Sequence, residues 1–291
     1  MEATEKKELR KKQSQLKEIW RRFRKNRAAV LGLMVLGLLF FSAIFADVIT
    51  PEARDAQDLT RTFQPPSRQH IMGTDNFGRD MFTRIIFGTR TSLMVGFTAV
   101  GVALSMGLLI GSLAGYYGGK VDNILMRFID ILISIPSILL AIAIASALGP
   151  GLINVMIAVG IAAVPEYARI TRAQVLTIRE QEFVEAARAI GGNDLRIITR
   201  HILPNAMAPI IVQATLGLSG AILSAAGLSF IGLGIQPPTP EWGFMLSAGR
   251  RFLREFPHMV IFPGLAIVTV VLAINMVGDG LRDALDPKLK K

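Results

Sequence analysis

The stretch Thr91–Gly115, which reads TSLMVGFTAVGVALSMGLLIGSLAG, contains no charged residue and decides the class of fold. Because the hydrocarbon core of a bilayer is ~30 Å thick and is spanned by ~20 helical residues, this stretch predicts a transmembrane helix. Gly107, Gly111 and Gly115 recur in it at every fourth position, a spacing that lets another helix backbone approach closely. We expect these glycines to contact another helix of the same chain, although the spacing also suits contact with a second subunit.

Apolar runs elsewhere in the chain predict five further spans. One of them, Leu152–Val164, is too short to cross a bilayer, so it must extend past Pro165 toward Ile170 or be shielded by its neighbours. A proline inside the extended helix would kink it. The chain has 291 residues, of which 51% are hydrophobic, and its mean hydropathy is +0.46, so an all-α, multi-pass membrane protein is predicted. The remaining four runs are Ala28–Ile49, Ile124–Leu148, Ala206–Ile235 and Met259–Val277.

Lysine and arginine are unevenly distributed among the loops, and this bias predicts the orientation in the membrane. Residues 1–27 hold 11 of them, and the loop at about 171–205 and the C-terminus are also basic. Six spans place both termini on one side, so these basic segments are predicted to be cytoplasmic, with external loops at about 50–90 and 236–258. The same distribution accounts for the net charge of +10 and favours membrane orientation over nucleic-acid binding.

Residues 1–27 are predicted to be a basic cytoplasmic tail with an amphipathic helix, ahead of a transmembrane domain at 28–291. Leu16, Ile19, Trp20 and Phe23 fall on one helical face, and cationic residues flank them. This pattern is typical of a helix that lies on the membrane surface and contacts lipid. A disordered basic tail is the alternative interpretation.

A polar, helix-forming segment from Glu182 to Gly192 lies between the long apolar runs. Four apolar side chains in it are spaced i, i+3, i+4 and i+7, so a helix would present them as one narrow ridge with charged flanks. The two glycines at its end would terminate the helix. Such a ridge fits the groove of a partner protein. Its members are Phe183, Ala186, Ala187 and Ile190.

The same segment resembles the EAA loop found in the permease subunits of ABC importers. Glu185-Ala186-Ala187, Gly191 and Leu203-Pro204 stand at the spacing of that motif, while His201 replaces its usual isoleucine. Other stretches are similar to the C-type permease subunit of dipeptide and oligopeptide importers. They are His70–Asp80 (HIMGTDNFGRD), Gly88–Leu93, Gly227–Gly234 and Gln236–Gly243.

This resemblance implies the type I ABC importer permease fold and an ATP-driven importer of di- or oligopeptides in a bacterial or archaeal cell (inner) membrane. The implied partners are a second permease subunit, two cytoplasmic ATPases that bind ATP and Mg, and an extracytoplasmic substrate-binding protein. The chain itself would need no cofactor. An importer of the same architecture for another cargo, such as a nickel chelate, is an alternative.

The resemblance also assigns two sets of contact residues. The ATPase-docking set, in a coupling helix, is Phe183, Glu185, Ala186, Ala187, Ile190, Gly191, Leu203 and Pro204. The set expected to contact the binding protein is Asp75, Asn76, Arg79, Asp80, Pro238 and Trp242. Trp242 is also expected to suit the membrane interface.

Several other functions lack the residues that they require. The sequence contains no Gly-x-x-x-x-Gly-Lys-Ser/Thr loop, so a separate ATPase must hydrolyse ATP. His70, His201 and His258 lie outside or at the margins of the predicted spans, which argues against an intramembrane protease or metal centre and leaves no catalytic residue.

An ion-driven secondary transporter is an alternative of a different class, and it would need ionisable groups at membrane depth. Asp130, near Arg127 at the start of the third span, and Asp47 and Asp279 at helix ends are all explained by interfacial anchoring. Glycines in the fifth span indicate a segment that bends or lines a passage. They are Gly217, Gly220, Gly227, Gly232 and Gly234.

Overall fold

The computed structural model describes residues 17–50 and 52–285, which are helical throughout apart from loops and one isolated β-bridge. Residues 17–23 form the described part of a first helix, α1. The helices that follow are α2 (Arg27–Ile44), α3 (Ala46–Ile49), α4 (Met81–Tyr117), α5 (Gly119–Ile133), α6 (Ser137–Leu148), α7 (Leu152–Arg179), α8 (Glu182–Ala189), α9 (Asp194–Arg196), α10 (Leu203–Phe230), α11 (Trp242–Gly249) and α12 (His258–Leu285).

The predicted number of six spans agrees with these helices, but one predicted span is wrong in detail. Five helices of the described chain are long and apolar enough to cross a membrane, and α5 with α6 makes a sixth only as a pair bent by 87°. The sequence analysis expected an unbroken helix over Ile124–Leu148. Pro136 explains the break, because proline lacks an amide hydrogen and disfavours helical backbone in the residue before it.

The fourth span extends well beyond its apolar core, as its short length required. Helix α7 continues through Pro165 and ends at Arg179, so it reaches past the Ile170 that was predicted. The first part of the predicted loop at about 171–205 is therefore helical. The extension carries several charged side chains to the far end of the bundle on a rigid helix.

Helices α4 and α7 pack face to face along the glycine stripe of α4. A side chain at Gly111 would place its Cβ 2.5 Å from the carbonyl oxygen of Ala168, and one at Gly115 would place it 2.8 Å from the Cβ of Val175. Gly107 lies equally close to Tyr167. The expectation that the stripe contacts a helix of the same chain is confirmed.

The first helix packs onto the bundle more closely than the sequence predicted. Leu16 lies outside the described residues, and Trp20 is exposed and stacks on Phe23 with 5.8 Å between ring centroids. Phe23 itself is buried against Ala29 and Gly280. The apolar face of α1 thus contributes one aromatic ring to the protein interior, where the sequence analysis had assigned all four side chains to the membrane surface.

Helix α4 links the two ends of the molecule. Its 37 residues correspond to ~55 Å at ~1.5 Å per residue. At its start it contacts a compact lobe, which we call the loop lobe, formed by residues 52–80 and 231–257. At its end it contacts α8 and α9. These two ends carry the residues that the sequence analysis assigned to partner contacts.

Candidate functional site

Helix α8 is a short amphipathic helix with defined ends. Glu182 and Glu185 lie in its first turn, where carboxylates interact favourably with the helix dipole. Gly191 adopts a φ of +80°, a left-handed conformation in which glycine carries no steric penalty. The amide of Gly192 then donates to the carbonyl oxygen of Ala187 at 3.0 Å. The glycine pair therefore terminates the helix, as its sequence indicated.

One face of α8 is held against the rest of the chain. Val184 and Ala187 are buried and pack with the isoleucines at positions 197, 198 and 202. The sequence analysis placed Ala187 in the centre of a ridge facing a partner, and this position needs correction. Helical spacing alone could not tell which side of the ridge faces inward, because alanine suits both a tight internal contact and an exposed surface.

Beside this buried face, α8 carries an exposed apolar strip. Phe183 is 39% exposed and Ile190 is 87% exposed, and Ala186 lies between them on the same side of the helix. Leu195, which the sequence analysis did not select, adds a further apolar side chain at 72% exposure. We call Phe183, Ala186 and Ile190 the exposed strip. Of the other predicted docking residues, Glu185, Gly191 and Pro204 are exposed and Leu203 is half-buried.

Three contacts tie the α8 region to the end of α4. The hydroxyl of Tyr116 donates to a carboxylate oxygen of Asp194 at 2.7 Å. The guanidinium of Arg188 lies over the ring of Tyr116, 5.2 Å from its centroid. Arg179 donates through Nη1 to the carbonyl oxygen of Gly115 at 2.7 Å. The end of α4 is therefore joined to α8 and α9, and to the last residue of α7, through polar contacts as well as through the apolar core.

The segment before α10 is a π-helical turn, Ile197–Ile202, in which the amide of Leu203 donates to the carbonyl oxygen of Ile198. A π turn contains an extra residue relative to an α-helical turn and is common at functional positions. His201, which departs from the EAA motif, is half-buried, and its carbonyl oxygen accepts from Asn205 Nδ2 at 2.6 Å. The departure is accommodated without loss of the helix.

At the opposite end, the predicted binding-protein contacts are largely internal to the loop lobe. Asp75 accepts from Arg79 Nε at 2.7 Å, and both side chains are almost fully buried. Asp80 caps α4 through the amide of Thr83 at 2.7 Å and pairs with the buried His70 at 2.9 Å. Three of the six predicted side chains thus stabilise the lobe from within.

Trp242 is also buried, contrary to the expectation of a membrane-interface side chain. Its exposure is 0%, and its indole Nε1 donates to the carbonyl oxygen of Ile85 at 3.1 Å. Gly88 permits this contact, because a Cβ there would lie 2.8 Å from the indole ring. Pro238 is exposed and Asn76 is half-buried.

The surface of the loop lobe carries apolar side chains that sequence reasoning missed. Leu59 is 71% exposed, Ile71 is 62% exposed and Phe77 is 44% exposed. Their turn-rich surroundings gave no helical or strand periodicity from which exposure could be inferred. They supply the accessible apolar surface that the buried motif residues do not.

A cleft of about 570 Å³ opens at the break between α5 and α6. Gly217 and Gly220 of α10 line it, and they are two of the five glycines of the fifth span that the sequence analysis considered for a passage. Glu166 and Arg169 of α7 also line it, and sequence reasoning selected neither as a functional residue. The signal was present, because a span extended past Pro165 must include the residue that follows.

Polar bridges join α7 to its neighbours along this part of the structure. Arg169 Nη2 donates to Asp130 at 2.7 Å, so Asp130 pairs with α7 and not with the Arg127 considered from the sequence. Gln213 Nε2 donates to Glu166 at 2.6 Å. Arg172 forms a bidentate pair with Asp122 further along α7. Paired charges of this kind are compatible with a partly wet passage.

Two family models match this chain. Residues 107–291 match the family described as binding-protein-dependent transport system inner membrane component, and residues 14–66 match the N-terminal TM domain of oligopeptide transport permease C.

Curated relatives match over nearly the full length of the chain. The dipeptide transport system permease protein DppC of Alkalihalophilus pseudofirmus is 51% identical, with 94% of this chain and 90% of that protein covered. The di/tripeptide transport system permease protein DppC of Pseudomonas aeruginosa is 47% identical, with 95% and 93% covered. The glutathione transport system permease protein GsiD of Escherichia coli is 47% identical, with 94% and 90% covered.

Solved structures extend the likeness to the fold. An inward-facing structure of the MetNI methionine ABC transporter matches with a TM-score of 0.57 at 20% identity, covering 71% of this chain and 98% of that one. A crystal structure of an amino acid ABC transporter with histidines matches with a TM-score of 0.54 at 18% identity, covering 69% and 94%. At these identities the agreement concerns the arrangement of helices, and it supports the type I importer fold predicted from the sequence.

Proposed function

Because this chain belongs to the binding-protein-dependent transport system inner membrane component family, and is thus a permease subunit of an ABC importer, we propose that it forms half of a peptide pathway. The other half is a second permease subunit. Two cytoplasmic ATPases bind ATP and Mg and drive the cycle, and a substrate-binding protein delivers the cargo. The relatives named for dipeptide, tripeptide and glutathione transport support peptides as the cargo class.

The observation that carries this proposal is the exposed strip on α8. Apolar side chains at 39% and 87% exposure, on a helix anchored to the chain by Val184 and Ala187, leave an apolar surface that a partner's groove would cover. In the proposed complex, an ATPase covers Phe183, Ala186 and Ile190. Ala187 then serves as the internal pivot of the helix and does not contact the ATPase.

ATP-driven closure of the two ATPases would move α8, and the contacts of Tyr116 and Arg179 would carry that movement to α4. Helix α4 in turn reaches the loop lobe, where Trp242 is bonded to its first turns. A rigid-body rocking of the bundle is the mechanism that best fits this connectivity. It would alternate access to the pathway between the two sides of the membrane.

The proposed orientation places both termini and α8 in the cytoplasm of a bacterial or archaeal cell, with the chain in the cell (inner) membrane. The loop lobe then faces outward and meets the binding protein. Asn76, Pro238 and the exposed apolar side chains Leu59, Ile71 and Phe77 are the surface available for that contact. Asp75, Arg79, Asp80 and Trp242 act indirectly, by fixing the shape of the lobe.

Uptake by the reconstituted complex tests the proposal. The chain, its second permease subunit, the ATPases and the binding protein are placed in vesicles, and ATP-dependent uptake of labelled alanyl-alanine is measured. The proposal expects uptake that unlabelled dipeptides compete and that a nickel chelate does not. Uptake of the chelate without uptake of the dipeptide would show that the cargo is not a peptide, while the proposed architecture would stand. Uptake driven by an ion gradient in the absence of ATP would overturn the ABC importer mechanism.

A further inference from the structure

The cleft at the α5–α6 break has the size and lining of a small-molecule site. Its volume of about 570 Å³ falls within the ~300–1,000 Å³ that is typical of such sites. Its walls come from α4, from the end of α5 and the start of α6, and from α7 and α10, and most of the lining side chains are apolar. At Gly217 and Gly220 the α10 backbone itself forms the wall.

The ionised side chains that line the cleft, among the described residues, are one carboxylate and one guanidinium. Glu166 and Arg169 lie three residues apart on α7, which places them on neighbouring positions of one helical face. Glu166 accepts one hydrogen bond from Gln213, and Arg169 donates one to Asp130. Because a carboxylate has about four acceptor positions and a guanidinium five donors, both groups keep most of their capacity.

A third polar group lies at the wall of the cleft. Tyr167 is 1% exposed and lines the cleft, and its hydroxyl has no hydrogen-bond partner among the described residues. The hydroxyl sits against Gly217, where any larger residue would collide with it. A buried hydroxyl without a partner is unfavourable, and a polar group placed beside it would complete its hydrogen bonding.

We propose that this cleft contacts the cargo during passage, with Arg169 binding the carboxylate of a short peptide and Glu166 binding its ammonium group. The inference rests on the proposed peptide cargo and adds the residues that recognise it. A zwitterion complements one cation and one anion at the edge of an apolar cleft. Peptides of different sequence share these two end groups, so a single pair of side chains serves varied cargo while the apolar walls accept their side chains.

Binding to the complex without the binding protein tests this inference. The probes are alanyl-alanine, its C-terminal amide and its N-acetyl derivative, each titrated by calorimetry against the purified permease–ATPase complex. Arg169→Gln should weaken alanyl-alanine binding about 10-fold and leave the amide unchanged, since the amide lacks the carboxylate that Arg169 binds. Glu166→Gln should weaken alanyl-alanine and leave the N-acetyl derivative unchanged.

Controls separate recognition from structure. Arg169→Lys keeps the charge and should retain the preference for the carboxylate. Arg172→Gln makes the same change as Arg169→Gln one turn further along α7, outside the cleft lining, and should leave the preference unchanged. Three outcomes would each overturn the inference. They are an equal loss of affinity for all three probes, unchanged binding in both Arg169→Gln and Glu166→Gln, and no binding of alanyl-alanine to the wild-type complex. Peptide uptake by the complete wild-type system would persist in all three cases, and its failure would instead contradict the proposed function.

Discussion

The hydroxyl of Tyr116 donates a 2.7 Å hydrogen bond to Asp194, and so the last turn of α4 is joined to the short helix that follows α8. This contact spans 78 residues of sequence and connects a membrane helix to the surface on which the proposed ATPase docks. Arg188 of α8 stacks on the same ring. In the proposed mechanism, the side chain of Tyr116 passes movement of α8 to the bundle.

Tyr116→Phe should lower transport per ATP hydrolysed about 5-fold, the effect of roughly 1 kcal/mol of lost coupling. The ring and its stacking with Arg188 are preserved, so ATPase docking should remain at the wild-type level. The measurement is the ratio of peptide uptake to phosphate release in vesicles. A wild-type ratio in Tyr116→Phe would show that the hydroxyl does not transmit the movement.

Ala186→Lys should abolish co-purification of the ATPases while the chain remains folded. The substitution places an unpaired charge in the centre of the exposed strip, and burying it costs several kcal/mol, or ~100-fold in affinity. Ala186→Ser, which is small and uncharged, is the control and should co-purify normally. Ala187→Lys should behave differently and destabilise the chain itself by about 3 kcal/mol or more, because that side chain is internal. Normal co-purification of the Ala186→Lys variant would remove Ala186 from the docking surface.

Gly111→Ala should destabilise the bundle by about 1–3 kcal/mol, because the new methyl group would meet the α7 backbone. Gly101→Ala provides a control in the same helix, since a Cβ there meets nothing within 4 Å. It should be neutral or stabilising by up to ~1 kcal/mol through helix propensity. Thermal unfolding in detergent measures both variants, and equal effects would contradict the α4–α7 contact.

Glu241→Gln should remove an acid-range dependence of lobe stability on pH. Burial raises the pKa of the Glu241 carboxyl above its ordinary value, and the amides of Gly243 and Phe244, which donate to it, only partly offset this. The folded state therefore holds the proton more tightly than the unfolded state. The protonated Glu241 carboxyl therefore contributes most to stability below the ordinary carboxyl pKa. This contribution is lost as pH rises through the raised pKa of the folded state.

The glutamine keeps an acceptor for the first turn of α11 and has no charge to desolvate. The variant should lose less unfolding temperature than wild type between acid and neutral pH. Glu255→Gln, at an exposed position of the loop lobe, serves as the control. Identical pH profiles for wild type and Glu241→Gln would contradict the assignment.

Much of the fold was predictable because membrane helices are recognised from the length and hydropathy of apolar runs. The glycine stripe of α4 indicated its contact with α7 correctly, since only small residues allow that approach. The break at Pro136 was missed because the apolar run continues across it. Hydropathy does not show that the helix axis changes direction within an apolar run. The inward position of Ala187 was missed because its partners, such as Ile197, are brought to it only by the turn at Gly191.

The contact sets were predicted less well than the fold. Motif residues in the loop lobe, such as Asp75 and Trp242, were taken for surface groups because they are polar or interfacial by type. In the folded lobe their polar atoms are satisfied internally, by the nearby Arg79 for Asp75 and by Ile85, which is distant in sequence, for Trp242. A pattern read along one segment cannot supply those partners.

Protection of a cysteine at position 190 tests the central claim, which is that the exposed strip of α8 is covered by an ATPase. The chain contains no cysteine, so Ile190→Cys introduces a single thiol at a position that is 87% exposed. Leu253→Cys, at a 49% exposed position in the loop lobe, is the control. The maleimide labelling rate of this chain is measured for both variants in the permease alone and in the permease–ATPase complex, in both cases without the binding protein. We predict that assembly slows labelling at position 190 by at least ~10-fold and leaves position 253 unchanged, while equal labelling of position 190 with and without the ATPases would contradict the claim.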